Sequence, residues 1–179
     1  MLRTVTGEDH TREVVATRAA TPTELELLYA THAASLTRAL QAAGYPDASD
    51  AVQEAFVQAV VHWRKISRYD DPLAWIRRVA INRGHNRHRS RQRQKALTQR
   101  IAATTSPETL PPVDRDDELT ALVAALPPRQ RLALSLFYFA DLSVAEVADS
   151  MELSQGAVKY HLHAARTSLA RSLEVRDDS

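Results

Sequence analysis

The 179-residue chain carries 23 Lys and Arg against 22 Asp and Glu, is 44% hydrophobic and contains no cysteine. That length fits one medium domain or two small ones, and the missing cysteines exclude disulfides, a thiol switch and the cysteine zinc sites of many DNA-binding modules. No window approaches the roughly 18 to 20 apolar residues of a membrane span, and the N-terminal sequence lacks the basic end and apolar run of a secretory signal, so the expectation is a cytoplasmic protein without membrane insertion.

Helical periodicity recurs along the chain and no alternating run of any length suggests a strand, which predicts an all-α protein. Residues 1–20 mix Thr, Glu, Asp and Arg with little periodicity and read as a mobile tail. A first helical block spans residues 21–100. In it, Leu25, Leu28, Leu36 and Leu40 give a helix that ends at Gly44 and Pro46. Asp47 is expected to cap the next helix, in which Val52, Phe56, Val60 and Trp63 recur every three or four residues as a buried stripe. Asp50, Gln53, Glu54 and Gln58 fall on its other faces.

After a short loop, Ser67-Arg68-Tyr69-Asp70, the pair Asp71-Pro72 opens a further helix: an N-cap acid followed by a proline at the first helical position. Leu73, Ile76 and Ala80 mark its core side. Between Pro72 and Pro107 the sequence has no acidic residue, yet it holds Arg77, Arg78, Arg83, Arg87, Arg89, Arg91, Arg93, Lys95 and Arg100. In a chain so nearly neutral overall, this is a local polyanion-binding surface. Arg78, Asn82, Asn86 and Arg89 follow at spacings of four, four and three along one side, where arginine holds phosphates and asparagine reads base edges. Trp63, Tyr69 and Trp75 lie near it in sequence, so an aromatic ring there could stack on an unpaired base, although core packing is the favoured role for each tryptophan. Gly84 costs about 1 kcal/mol against Ala and weakens the expectation for the helix beyond it.

Residues 101–115 include three prolines among small polar side chains, the composition of a flexible linker. The second block, residues 116–175, contains a helix-turn-helix pattern from Leu142 to Arg166. Ser143 and Glu146 form a capping box, Ala148 leaves room where two helices cross, and Ser154 caps the second helix. Val158, Leu162, Ala165 and Leu169 make its buried stripe. Gly156, Tyr160 and His163 point away from that stripe, with Gln155, Lys159 and Arg166 on the flanks, and this is the face that would enter a major groove. The fold expected is therefore two small helical domains joined by a flexible linker, the second a helix-turn-helix domain.

Both blocks, in this order, resemble the two domains of bacterial sigma factors of the extracytoplasmic-function type, over residues 21–172. Residues 47–56 resemble the part of sigma region 2 that docks on the β′ clamp helices of RNA polymerase, which implies a polymerase-binding role for Asp50, Gln53, Glu54 and Phe56. Residues 72–82 are similar to the helix that melts and reads the promoter −10 element. The resemblance puts Asn82 at the base-contacting asparagine and the loop with Ser67, Arg68 and Tyr69 at the flipped-out base, with Arg78, Asn86 and Arg89 beside them. Residues 126–134 and 142–166 resemble sigma region 4, implying −35 contacts from Ser154, Gln155, Gly156, Lys159, Tyr160, His163 and Arg166. The partners so implied are core RNA polymerase (β′ clamp helices and β subunit), promoter DNA and an anti-sigma factor, with no cofactor, metal or catalytic residue. Ala157, His161 and Glu152 depart from the residues usual in the family, where Thr, Arg and a turn glycine stand, and Ile81 occupies a place where Arg is frequent.

Two other classes compete. A stand-alone helix-turn-helix regulator would leave residues 47–56 unexplained. A metal nuclease built on His85 and His88 or on His161 and His163 lacks nearby carboxylates, and residues two apart on a helix diverge by about 200°.

Overall fold

The computed structural model describes residues 23–101 and 115–177, which form seven helices and no strand. In chain order these are α1 (Glu24–Ala42), α2 (Ala48–Ile66), α3 (Pro72–Ile101), α4 (Arg115–Ala125), α5 (Pro128–Phe139), α6 (Val144–Met151) and α7 (Gln155–Asp177). The tail expected over residues 1–20 lies outside the described residues, as does the linker expected over 101–115 apart from its two end residues.

Local chemistry sets most of the helix ends. Thr23 opens α1 in a reciprocal capping box with Glu26, and Gly44 closes it at φ +87°, a conformation that costs glycine nothing. Asp71 Oδ1 accepts the Ala74 N–H at 2.9 Å to start α3. Ser143 and Glu146 form the expected box at the start of α6, and Ser154 Oγ accepts the Ala157 N–H at 3.1 Å at the start of α7. Asp47 departs from expectation. It stands before α2 without making a cap hydrogen bond, because its carboxylate is taken by Arg91 of α3.

The buried side of α2 is made of Ala48, Ala51, Val52, Ala55, Phe56, Ala59 and Ile66. Four of these seven are alanines, which let α1 and α3 approach closely on either side. Val60, expected in the buried stripe, is instead 64% exposed, and Trp63 is only partly buried at the core's edge. The stripe is rotated toward the alanines because these small residues face the neighbouring helices. Gly84 does not end α3. A Cβ there would lie 3.1 Å from the Tyr45 ring, so the glycine is the seat on which that buried tyrosine packs.

The two helical blocks pack against each other over a shared core. Leu36, Leu40 and Ile76 from the first block join Leu132, Leu136 and Val147 from the second in one cluster. Burying each of these large side chains contributes about 1.5 to 3 kcal/mol. A smaller cluster, Leu126, Leu134 and Ala165, ties the end of α4 to α5 and α7.

Candidate nucleic-acid interface

The arginine-rich run divides its charge between two neighbours. One group faces α2: Arg83 meets Glu54 at 3.0 Å, Arg87 meets Asp50 at 3.1 Å and Glu54 at 3.2 Å, and Arg91 meets Asp47. Each such partly exposed pair is worth little singly, but the ladder fixes the roll of α3 against α2. It therefore fixes which residues of α3 face outward.

That outward edge carries the nucleic-acid candidates. Ser67, Arg68 and Tyr69 form an exposed turn after α2. Arg68 and Tyr69 share a depression of about 430 Å³ with Asp71, Ala74, Arg78 and Asp149. Farther along, Asn82, Asn86 and Arg89 line a larger one of about 650 Å³ together with His85, Arg129 and Glu152. Arg78 lies between the two groups in sequence, so the turn and the four spaced residues follow one edge of α3. The opposite wall of the larger depression comes from α5, α6 and the turn after α6, and that of the smaller one from Asp149 of α6. Partial burial, and then the cations His88, Arg89 and Arg129, hold His85 below its ordinary value of 6.5. The larger depression is thus a region of positive potential that disfavours another proton.

Arg77, the neighbour of Arg78, is only 4% exposed, an unusual depth for an arginine. Its guanidinium reaches Glu146 of α6 at 3.2 Å and Asp71 at 3.9 Å. The hydrogen bonds from the Ser143 N–H and hydroxyl hold Glu146 below its usual carboxylate value, with Arg77 adding to them and burial opposing. The acid that caps α6 thus also receives an arginine from α3.

The four polymerase-binding candidates separate into two surfaces. Asp50 and Glu54 sit in the ladder with α3, whereas Gln53 and Phe56 border a groove with Leu25, Tyr29, Val57 and Val60. Phe56 is buried, with the Tyr29 ring edge-on at 4.9 Å, and so supports that groove from below. Sequence reasoning missed the exposed apolar residues here, Tyr29, Val57 and Val60, and the exposed Leu27 and Val61 elsewhere on α1 and α2. The adjacent pair Val60-Val61 was the available signal, since two valines 100° apart widen a stripe beyond what one packed face needs.

In the second block, Gln155, Gly156, Lys159, Tyr160 and His163 are exposed along α7. A Cβ on Gly156 would meet nothing nearer than Ser154 Oγ at 3.9 Å, which leaves close approach open there. Ser154 is engaged as the cap. Arg166 is held differently from the rest: its Nε donates to Tyr138 Oη at 3.2 Å and its guanidinium lies 5.6 Å from the centres of the Phe137 and Tyr138 rings. Among the departures, Ala157 is half-buried behind the cap, and His161 Nδ1 is buried without a hydrogen-bond partner.

The family descriptions that match are sigma-70 region 2, over residues 28–94, and sigma-70 region 4, over residues 116–169. Among curated proteins, the chain is similar to the RNA polymerase sigma-E factor of Streptomyces avermitilis, at 32% identity over 73% of each chain. It is also similar to the sigma factor SigL of Mycobacterium tuberculosis, at 29% over 84% of this chain and 89% of that one. Among solved structures, the sigma factor RpoE of Bartonella quintana, bound to the anti-sigma factor NepR, superposes with a TM-score of 0.64 at 17% identity, covering 84% of this chain and 96% of that one. CnrH, bound to the cytosolic domain of CnrY, does so with a TM-score of 0.59 at 24% identity, covering 84% and 88%.

Proposed function

The chain belongs to the sigma-70 family, as an extracytoplasmic-function sigma factor that binds core RNA polymerase, directs it to promoters through their −10 and −35 elements and promotes melting; from that premise we propose which residues do each part. Asp50, Gln53 and Glu54, with Phe56 beneath, form the polymerase-binding face of a region 2 domain at residues 21–100. Ser67, Arg68, Tyr69, Arg78, Asn82, Asn86 and Arg89 take the −10 strand. Ser154, Gln155, Gly156, Lys159, Tyr160, His163 and Arg166 take the −35 duplex from a region 4 domain at residues 116–175, with residues 101–115 as the linker.

The observation that carries this reading is the single edge of α3 on which the 67–69 turn and the Arg78, Asn82, Asn86 and Arg89 series follow one another. An exposed tyrosine beside arginine and asparagine suits a base taken out of the stack: stacking and polar contacts return the few kcal/mol that unstacking costs. The work is binding, and none of it requires a catalytic group in this chain, which we read as a non-enzymatic cytoplasmic factor. No helix among the described residues is long and apolar enough to cross a membrane. An anti-sigma factor is a partner proposed by analogy with the Bartonella protein.

The test is binding to core polymerase with run-off transcription on a genomic promoter library, using wild type and Asp50→Arg. Wild type should bind and give promoter-specific transcripts. The variant, which sets a like charge beside Arg87, should lose both while its melting temperature falls only slightly, because the Asp50 side chain is exposed. Tight duplex binding by the chain alone, without polymerase binding, would replace this reading with a stand-alone regulator.

A further inference from the structure

Arg166 differs from the rest of the −35 set on α7 in being held by another helix. At three-residue spacing, Tyr160, His163 and Arg166 run along one side of α7, and all three are exposed. At Arg166 this run meets the end of α5. The Arg166 Nε–H donates to Tyr138 Oη at 3.2 Å, and the guanidinium lies 5.6 Å from the centres of the Phe137 and Tyr138 rings. Those two rings stand edge to face at 5.1 Å, which steadies the second against the first. Tyr138 is itself 57% exposed, so the pair stands at the surface and not in the core. Among the described residues no carboxylate pairs with Arg166, and its two terminal nitrogens keep their donors for an anion from outside the chain.

We propose that Tyr138 is a positioning residue for duplex binding: its hydroxyl holds the Arg166 guanidinium with the terminal nitrogens turned outward, ready for one backbone phosphate of the −35 duplex. This rests on the −35 assignment of α7 above. An arginine free to turn loses rotamer entropy when it takes a phosphate, whereas one already held has lost it before binding. Donation from Nε to the hydroxyl leaves the edge formed by the two terminal nitrogens, whose paired donors match a phosphate. Contact with the backbone sets the position of the duplex and carries no sequence information. The phenol has no charge, so any effect it has on the salt dependence of binding must pass through Arg166.

The test titrates the full chain, with core polymerase, against a fluorescent promoter duplex recovered by run-off, over a range of salt. Arg166→Gln should bind about tenfold more weakly and lower the slope of log affinity against log salt by about 1. Tyr138→Phe keeps the ring and its packing and removes only the hydroxyl. It should weaken binding about fivefold and lower the slope as well, by up to about 1. With Arg166→Gln already present, Tyr138→Phe should cost nothing further, because there is then no guanidinium to position. Both losses should be the same on a duplex with altered −35 bases. A Tyr138→Phe chain with wild-type affinity and slope, even at a lower melting temperature, would leave Tyr138 a packing residue and overturn the proposal. An equal loss with and without Arg166→Gln would overturn it too. If Arg166→Gln and Lys159→Gln also left duplex binding unchanged, the −35 assignment of α7 would itself fall, which a failure at Tyr138 alone would not bring about.

Discussion

The two helices that present nucleic-acid candidates, α3 and α7, are held in opposite ways. On α3 most of the arginines are already in ion pairs: Arg83, Arg87 and Arg91 with Glu54, Asp50 and Asp47 of the first block, and Arg77 and Arg78 with Glu146 and Glu152 of the second, which lines the outward edge. On α7 the residues Gln155, Gly156, Lys159, Tyr160 and His163 are exposed, and only Arg166 is tied down, by Tyr138. A surface for the outside of a duplex can stand open, because phosphate contact requires only a docked helix. An edge for separated strands is more exposed to wrong ligands, since every nucleic acid carries the phosphates its arginines would bind.

The largest effect should come from the core that brings the two blocks together. Ile76 is fully buried on α3 in the cluster that also contains Leu132 and Leu136 of α5. Ile76→Ala should cost about 3 kcal/mol by loss of transfer energy and creation of a cavity. Thermal unfolding followed by circular dichroism should show one transition moved to lower temperature. Two separated transitions, only one of them moved, would mean that the blocks melt independently and that α6 does not pack on α3 in solution.

Next in size is Asn82→Ala. Asn82 is exposed, so folding stability should stay within about 0.5 kcal/mol of wild type. Loss of a base contact worth about 1 to 3 kcal/mol should reduce run-off transcription tenfold or more, with core-polymerase binding unchanged. A variant that transcribes normally would remove Asn82 from base reading and leave α3 with phosphate contacts alone.

How far such residues could be read from sequence depended on the range of the interaction. The capping box of Ser143 with Glu146 and the Asp71 cap involve residues three apart, so their chemistry is spelled out locally and the structure reproduces it. The spacing of Arg78, Asn82, Asn86 and Arg89 gave their common side in the same way. Periodicity located a face of α2 but not the side to which its alanines would draw neighbours, and Val60 was therefore assigned to the wrong side. Gly84 was legible only as a weak point, because its partner Tyr45 lies 39 residues earlier in the chain. The least legible feature was the pairing of Arg77 with Glu146, 69 residues apart. One arginine among nine basic residues carries no mark that it will be the buried one.

Ser143→Ala probes the far side of that pairing. Loss of the cap should cost about 1 kcal/mol, and it removes the hydroxyl hydrogen bond that helps to lower the Glu146 pKa, while the bond from the backbone N–H at 143 remains. The lowered folded value means that the carboxylate adds stability above its ordinary 4.5 and gives it up as pH falls through the lower folded value. In wild type this acid loss should be smaller than the cap effect, since the Glu146 side chain is 40% exposed and screened. Urea titrations at neutral pH and below 4.5 should therefore show a weaker acid dependence in Ser143→Ala than in wild type. An equal dependence would mean that other carboxylates govern the acid limb.

The smallest effect should fall on α7, where the surface stands free. Lys159 is exposed on the face assigned to the major groove, with no ion pair among the described residues. Its contribution to duplex binding should be a single phosphate contact, which releases about one counterion. Lys159→Gln should weaken polymerase-dependent promoter binding about evenly across sequences and reduce the slope of log affinity against log salt by about 1. The same substitution should leave single-strand binding unchanged, because Lys159 lies on the helix assigned to the duplex and not on the edge of α3 assigned to the strand. If instead single-strand binding carried the altered salt slope, the two helices would be sharing one ligand, and the proposed division between a duplex surface on α7 and a strand surface on α3 would fail.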